Sequence, residues 1–298
     1  MQKTILITAC LIFSLYKAPG QESLLKGLED SLPFKEKVGP AFKSTRVINA
    51  HSIEMLAKGN LDFRILHRFG RINQGISQLF GLDAASMRMA FDYGITDNFM
   101  IGIGRSTFRK EIDGFIKARV FQQSRGPGSI PFSLVIAAGT MVWTEPSVTS
   151  YKPGARERTS YYVQLIAARK FSENFSLQLS PILLHRNLVD RPVESNTLIA
   201  LGGGARYKVS KRVAFTLDYH HPLNGVLPST NDPLSVGVDI ETGGHVFQLH
   251  FSNTVGMNER SYLTETTDDF FKGDLRFGFN LSRVFKLGKK RPKPPSSS

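Results

Sequence analysis

The sequence predicts a single all-β domain: an antiparallel transmembrane β-barrel of about twelve strands, with longer extracellular loops and short periplasmic turns. Three observations lead there. Polarity flips with every residue in segment after segment between Leu61 and Phe285, as in Leu61-Asp-Phe-Arg-Ile65 and in Met87, Met89, Phe91 and Tyr93 set between Arg88, Ala90 and Asp92. An export-type signal precedes these segments. The connections between them also alternate in length, long after odd strands and short after even ones, which a soluble sandwich has no reason to do. The 298 residues are 41% hydrophobic, yet mean hydropathy is only −0.15. A barrel reconciles the two, because half of every strand faces a wet lumen.

At the start, Lys3 precedes the short apolar stretch from Thr4 to Leu15, and Ala18-Pro-Gly20 offers small residues for cleavage before Gln21. The expectation is a signal peptide over residues 1–20, since about a dozen apolar residues are too few to span a bilayer. Cys10 is the only cysteine and leaves with that peptide, so no disulfide framework is expected. Residues 21–60 read as a periplasmic leader. Leu24, Leu25, Leu28 and Leu32 have helical spacing that Pro33 ends, and Phe42 to Ala50 reads as a short extended piece. The barrel is expected over 61–285, with strands near 61–69, 86–94, 98–107, 114–121, 131–143, 159–170, 174–186, 197–208, 213–221, 235–241, 245–255 and 273–285. Residues 286–298, with Lys289-Lys-Arg-Pro-Lys-Pro-Pro ahead of a serine run, form a basic, disordered tail. That tail is a candidate contact for an anionic periplasmic polymer. Formal net charge is +13, but export argues against nucleic acid as its partner. The expected partners are outer-membrane lipid and the assembly machinery of that membrane.

Strand parity gives a list of lumen-lining residues: Asp62, Arg64, Arg68, Arg88, Asp92, Asp113, Lys117, Arg119, Asp218, His220, Asp239, His250 and Arg276. About twelve strands enclose a bore of intermediate width, between one that side chains fill and one that stays an open channel. The interleaved acids and bases fit either a salt-bridged filling or the lining of a narrow pore. Asp218, His220, Asp239 and His250 share the inferred inner face and form a candidate metal set. No cofactor is expected: Ala200-Leu-Gly-Gly-Gly-Ala205 lacks the Gly-Lys-Ser/Thr of a phosphate loop and reads as strand glycines.

Two resemblances add to this reading. His250-Phe-Ser252-Asn253 resembles the His-x-Ser-Asn segment of outer-membrane phospholipase A, which would make His250 the general base and Ser252 the nucleophile. Against it, Thr254-Val255 replaces that family's Gly-Arg, and parity turns both residues inward. Over about residues 42–285 the chain resembles a family of outer-membrane β-barrel proteins of Gram-negative bacteria that carries a domain-of-unknown-function label. The strings that carry this are Phe42-Lys-Ser-Thr-Arg46-Val-Ile-Asn49, Gly59-Asn-Leu-Asp62-Phe-Arg64-Ile-Leu-His67-Arg68-Phe-Gly70, Met87 to Gly104, Gly256-Met-Asn-Glu259-Arg, and Phe277-Gly-Phe-Asn280-Leu-Ser-Arg283-Val-Phe285. The resemblance implies envelope location and a barrel, and it brings no catalytic residues. The functional expectation is a non-enzymatic outer-membrane protein, either a narrow pore or a structural protein of the envelope. A lipid-acting hydrolase and a soluble exported ligand-binding barrel are the alternatives.

Overall fold

The structure, a computed structural model, describes residues 34–147, 150–189, 194–242 and 245–287. The expected signal peptide, the leucine-spaced part of the expected leader, residues 148–149, 190–193 and 243–244, and the expected tail from residue 288 lie outside the described residues.

Alternating side chains give strands here because one face can meet lipid while the other meets the bore. Twelve strands close into one antiparallel barrel. They are β1 (Asn60–Arg71), β2 (Ala85–Thr96), β3 (Phe99–Ser106), β4 (Ile112–Phe121), β5 (Ser133–Val142), β6 (Thr159–Lys170), β7 (Phe175–Arg186), β8 (Thr197–Lys208), β9 (Val213–Pro222), β10 (Leu234–Thr242), β11 (His245–Ser252) and β12 (Arg276–Lys286). Each pairs with its sequence neighbours, and β12 closes on β1 with Lys286 opposite Asn60 and Arg276 opposite Arg71. Outward rings knit that seam, His67 stacking on Phe279 at 4.9 Å and Phe69 on Phe277 at 5.9 Å, and on the other side of β12 Phe251 of β11 lies 5.7 Å from Phe277.

The two faces differ sharply. Outward Phe91, Ile103 and Phe215 are 49%, 58% and 55% exposed, whereas inward Arg64 and Arg88 are each 1% exposed and Lys117 is 0% exposed. A wall that shows hydrocarbon outside and hides cations inside is built for lipid, so the soluble alternative does not hold. The connections after odd strands (72–84, 107–111, 143–158, 187–196, 223–233 and 253–275) outrun those after even strands (97–98, 171–174, 209–212 and 243–244), with one exception at 122–132. Most of that exception, residues 122–131, belongs with residues 34–38 to a separate small unit. There Glu36 pairs with Arg125 and Lys37 with Ser124, and Val38 N donates to Gln123 O at 2.9 Å.

The structure corrects two expectations. The leader over 21–60 is not wholly periplasmic, because its later residues enter the barrel. Phe42, Val47, Ile48, Ala50, His51 and Ser52 are all 2% exposed or less. They form a narrow hairpin in which Val47 N donates to Ala50 O at 2.9 Å, Ser52 N donates to Thr45 O at 3.0 Å, and Arg46 bridges His51 across the two arms. The second correction concerns the connection between β11 and β12, expected over residues 256–272 as one of the longer extracellular loops and observed over 253–275. Its helix α1 (Glu259–Thr264) has every residue buried. The physical reason is common to both: a wall of twelve strands cannot fill its own bore, and these segments supply the missing atoms. The inner wall makes room for them. A Cβ on Gly204 would sit 3.0 Å from Val47 Cγ2, one on Gly237 would sit 3.2 Å from Ile48 Cδ1, and one on Gly94 would sit 2.7 Å from the Leu56 carbonyl oxygen.

The lipid-facing assignment has a direct consequence. Ile103→Arg is expected to lower the barrel's unfolding free energy in lipid vesicles by about 2–4 kcal/mol. Urea titration followed by the fluorescence of the single tryptophan, Trp143, measures it, and an unchanged midpoint would mean that this face does not meet hydrocarbon.

Candidate functional site

The functional question is what the bore does, and its chemistry begins at β9. Alternation aims Asp218 and His220 inward, and both are buried. Asp218 Oδ2 accepts three backbone N–H groups from the tip of the hairpin: Ile48 at 3.2 Å, Asn49 at 2.7 Å and Ala50 at 3.0 Å. Successive amides converging on one oxygen make an anion-binding nest, and the carboxylate fills it. The other oxygen lies 3.4 Å from His220 Nδ1, whose ring in turn packs 4.9 Å from the Tyr262 ring of α1.

The remaining lumen residues grip the hairpin on all sides. Arg68 donates to Asn49 Oδ1 at 2.7 Å and to Asn280 Oδ1 at 3.2 Å. Asn280 Nδ2 donates to the Ile48 carbonyl at 2.9 Å, Gln248 Nε2 to the Val47 carbonyl at 2.6 Å, and Gln178 Nε2 to the His51 carbonyl at 2.7 Å. Arg64 reaches the hydroxyls of Ser44 (2.8 Å) and Thr45 (2.6 Å) and is held at 2.5 Å by Asp62. Asp92 accepts from Thr45 at 3.3 Å, and Lys117 donates to the Glu54 carbonyl at 2.6 Å. Arg88 and Asp113 pair within the wall, with Arg88 Nε 2.9 Å from Asp113 Oδ1. Asp239 accepts from Gln248 at 3.0 Å and lies 4.0 Å from Arg206. Arg119 is only partly buried. Of the charges expected to line a pore or neutralise one another across it, Arg64, Arg68, Asp92, Lys117 and Asp218 are spent on an inserted segment, while Arg88 and Asp113 pair within the wall.

The connection 253–275 meets that segment in the bore. Arg46 Nη1 lies 2.9 Å from Glu259 Oε1, and both side chains are 2% exposed. His51 Nε2 sits 2.8 Å from the Tyr162 hydroxyl and 3.5 Å from the same Glu259 oxygen. Asn49 Nδ2 also donates to Thr254 at 3.3 Å. The helix starts where it does because the Asn258 side chain accepts the Ser261 amide at 3.0 Å, an N-cap. Glu111, from the connection between β3 and β4, gathers Asn258 Nδ2 (2.6 Å), the Ser261 hydroxyl (2.9 Å) and the Arg260 guanidinium. At the rim Arg276 pairs with Asp268 at 2.9 Å. Burial alone would push the Glu265 carboxyl up, but Arg260 at 2.8 Å and Arg109 at 3.3 Å outweigh it and hold the group below its ordinary range.

Neither chemical alternative assembles. Asp218 is occupied by the hairpin amides, Asp239 by Gln248 and Arg206, and among the described residues no group of His, Cys, Asp and Glu gathers at metal-binding separation. His250 packs against Gly278, where an added Cβ would lie 2.5 Å from its Nε2. The Ser252 hydroxyl accepts from Ser235 at 2.7 Å and lies 2.9 Å from the Thr254 hydroxyl. His250 is not among the partners of Ser252, so the general base and nucleophile of a hydrolase are not brought together. The functional residues that sequence reasoning missed are the hairpin's own, Arg46 and Asn49, and Glu259 of α1.

The model of a membrane-bound β-barrel domain, DUF5777, matches residues 42–285. The chain belongs to this family. The matched region runs from the first buried residues of the hairpin to the end of β12, so the family's domain includes the inserted segment as well as the wall. A comparison with curated proteins gave no significant match. Among solved structures the chain is similar to the NanC porin (8% identity, 77% of this chain and 100% of that one, TM-score 0.46). It is also similar to the KdgM porin (9% identity, 76% and 99%, TM-score 0.45). A loop-deletion mutant of OmpT from Vibrio cholerae matches at 13% identity over 75% of each chain, with TM-score 0.34.

Two measurements probe this geometry. Asp218→Asn removes the charge from the nest and is expected to lower the protection of the Ile48, Asn49 and Ala50 amides in hydrogen exchange by about 3 kcal/mol, with wall amides little changed. Glu265, held low in the folded state, favours the seated loop above its ordinary value of 4.5, and that contribution fades as pH falls through its lowered folded value. Amide protection of α1 is therefore expected to hold at pH 6 and drop near pH 3, and a profile flat across that range would remove Glu265 from the latch.

Proposed function

We propose that this protein is an outer-membrane β-barrel that is shut at rest, a structural protein of the envelope rather than a standing pore. Its short turns face the periplasm, and its longer loops face outward. Residues 41–56 enter from the short-turn end and the connection carrying α1 enters from the other. The observation that carries this reading is the buried Arg46–Glu259 pair, where the two segments meet in the bore. Taking two charges out of water is costly, and the geometry that repays it is available only when both segments are seated. Opening a passage would break that pair and strip Asp218 of its three amides, so the shut state is the stable one. A passage exists only after the hairpin has been drawn out of the bore.

Planar-bilayer recording tests this. The folded native protein is expected to give no steady current. Deleting residues 41–56 is expected to produce open-channel steps. Arg46→Glu, which sets two carboxylates face to face, is expected to produce intermittent openings that a second change, Glu259→Arg, suppresses. Steady ion current through the native barrel overturns the proposal.

A further inference from the structure

The lipid-facing wall carries a groove of about 560 Å³ on the strands from β7 to β12. Tyr207, Phe215, Leu217 and Phe251 are among the residues that line it, and all are outward residues of paired strands. The groove lies among apolar side chains and reaches Phe175 and Tyr207, which sit at the short-turn end of the barrel.

The turn 209–212 adjoins that end. Lys211 and Arg212 lie in it, and both are exposed. Neither forms an ion pair among the described residues. The carboxylates of the neighbouring strand β10 are engaged elsewhere, Glu241 by Lys43 at 2.7 Å and Asp239 by Arg206. The even-side turn next along the rim is different, since Lys170 there is answered by Glu173 at 2.9 Å.

We propose that this groove is a binding site for an anionic phospholipid, with an acyl chain along the Phe215–Leu217 face and the headgroup phosphate on Lys211 and Arg212. Any acyl chain can pack in an apolar groove, so the chain contributes fit and little choice. Choice comes from charge. Two uncompensated cations at the edge of the hydrocarbon attract a net negative headgroup, and the ammonium of a zwitterionic lipid cancels most of that attraction. Tyr207, 53% exposed two residues before the turn, presents an aromatic body to the chain and a hydroxyl to the headgroup, as interfacial tyrosines do. The proposal rests on the membrane-facing wall and not on the state of the bore, so it stands or falls apart from the shut-barrel reading.

Native mass spectrometry of the folded, full-length protein in detergent reads the site directly. Phosphatidylglycerol and phosphatidylcholine with the same chains are the probes. Phosphatidylglycerol is expected to be retained about 25-fold more strongly, about fivefold for each cation. The double variant K211Q/R212Q is expected to bring phosphatidylglycerol down to the phosphatidylcholine level. Ala205→Trp, which fills the groove and leaves the cations in place, is expected to reduce retention of both lipids. Heat-modifiable gel mobility confirms that each variant has folded. Equal retention of the two lipids by the native protein overturns the proposal. So does undiminished phosphatidylglycerol binding in the double variant, or displacement of the lipid by millimolar inorganic phosphate, which would reveal a headgroup site with no role for the groove.

Discussion

Twelve strands enclose a bore wider than their own side chains can close, and every buried polar atom facing that bore needs a partner. The carboxylate of Asp218 is where the two demands are met together. It stands on a wall strand, it is buried, and it receives the three consecutive amides of Ile48, Asn49 and Ala50. That contact fixes how far the hairpin enters. Once its tip is set, Arg68 and Asn280 reach Asn49 and Ile48, Gln248 and Gln178 reach the carbonyls of Val47 and His51, and Arg46 is carried to Glu259. The charged lumen is thus a socket shaped to one segment of its own chain.

Glycine supplies the complementary half of the socket. Inward Gly204 and Gly237 leave the space that Val47 and Ile48 occupy, and Gly102 and Gly139 leave room for the rings of Phe115 and Tyr162. A Cβ at Gly139 would lie 2.5 Å from the Tyr162 ring, whose hydroxyl is the partner of His51. Small residues inside a strand weaken the strand itself. Their inward placement is explained by what packs there, and the wall recovers its stability from the filling.

Much of the wall was legible in the sequence because its signal is local. Alternation across β2, β7 or β12 needs only neighbouring residues to be read, and the inward positions of Asp62, Arg64, Arg88 and His250 follow from parity alone. The filling was not legible, for a physical reason. Ser44 to Ser52 forms only a single bridge, between Arg46 and His51, and its bonds reach partners far along the chain, such as Asp218 and Glu259. Nothing in its local pattern distinguishes a hairpin buried in a bore from a polar leader. The same holds for Asn258 to Thr264: an N-cap and a short helix are readable, but their burial depends on Glu111 across the barrel mouth. The inner-face glycines were the available clue. Read together on one face, they say that something other than the wall occupies the middle.

Cysteine protection measures the central claim most directly. With Cys10, the only native cysteine, replaced by serine, Ile48→Cys places one thiol at the hairpin tip, where Ile48 is 0% exposed. In the folded barrel this thiol should stay unreactive toward a membrane-impermeant maleimide and label rapidly once the protein is unfolded in urea. Labelling of the folded barrel as fast as that of the unfolded chain would contradict a hairpin seated in the bore.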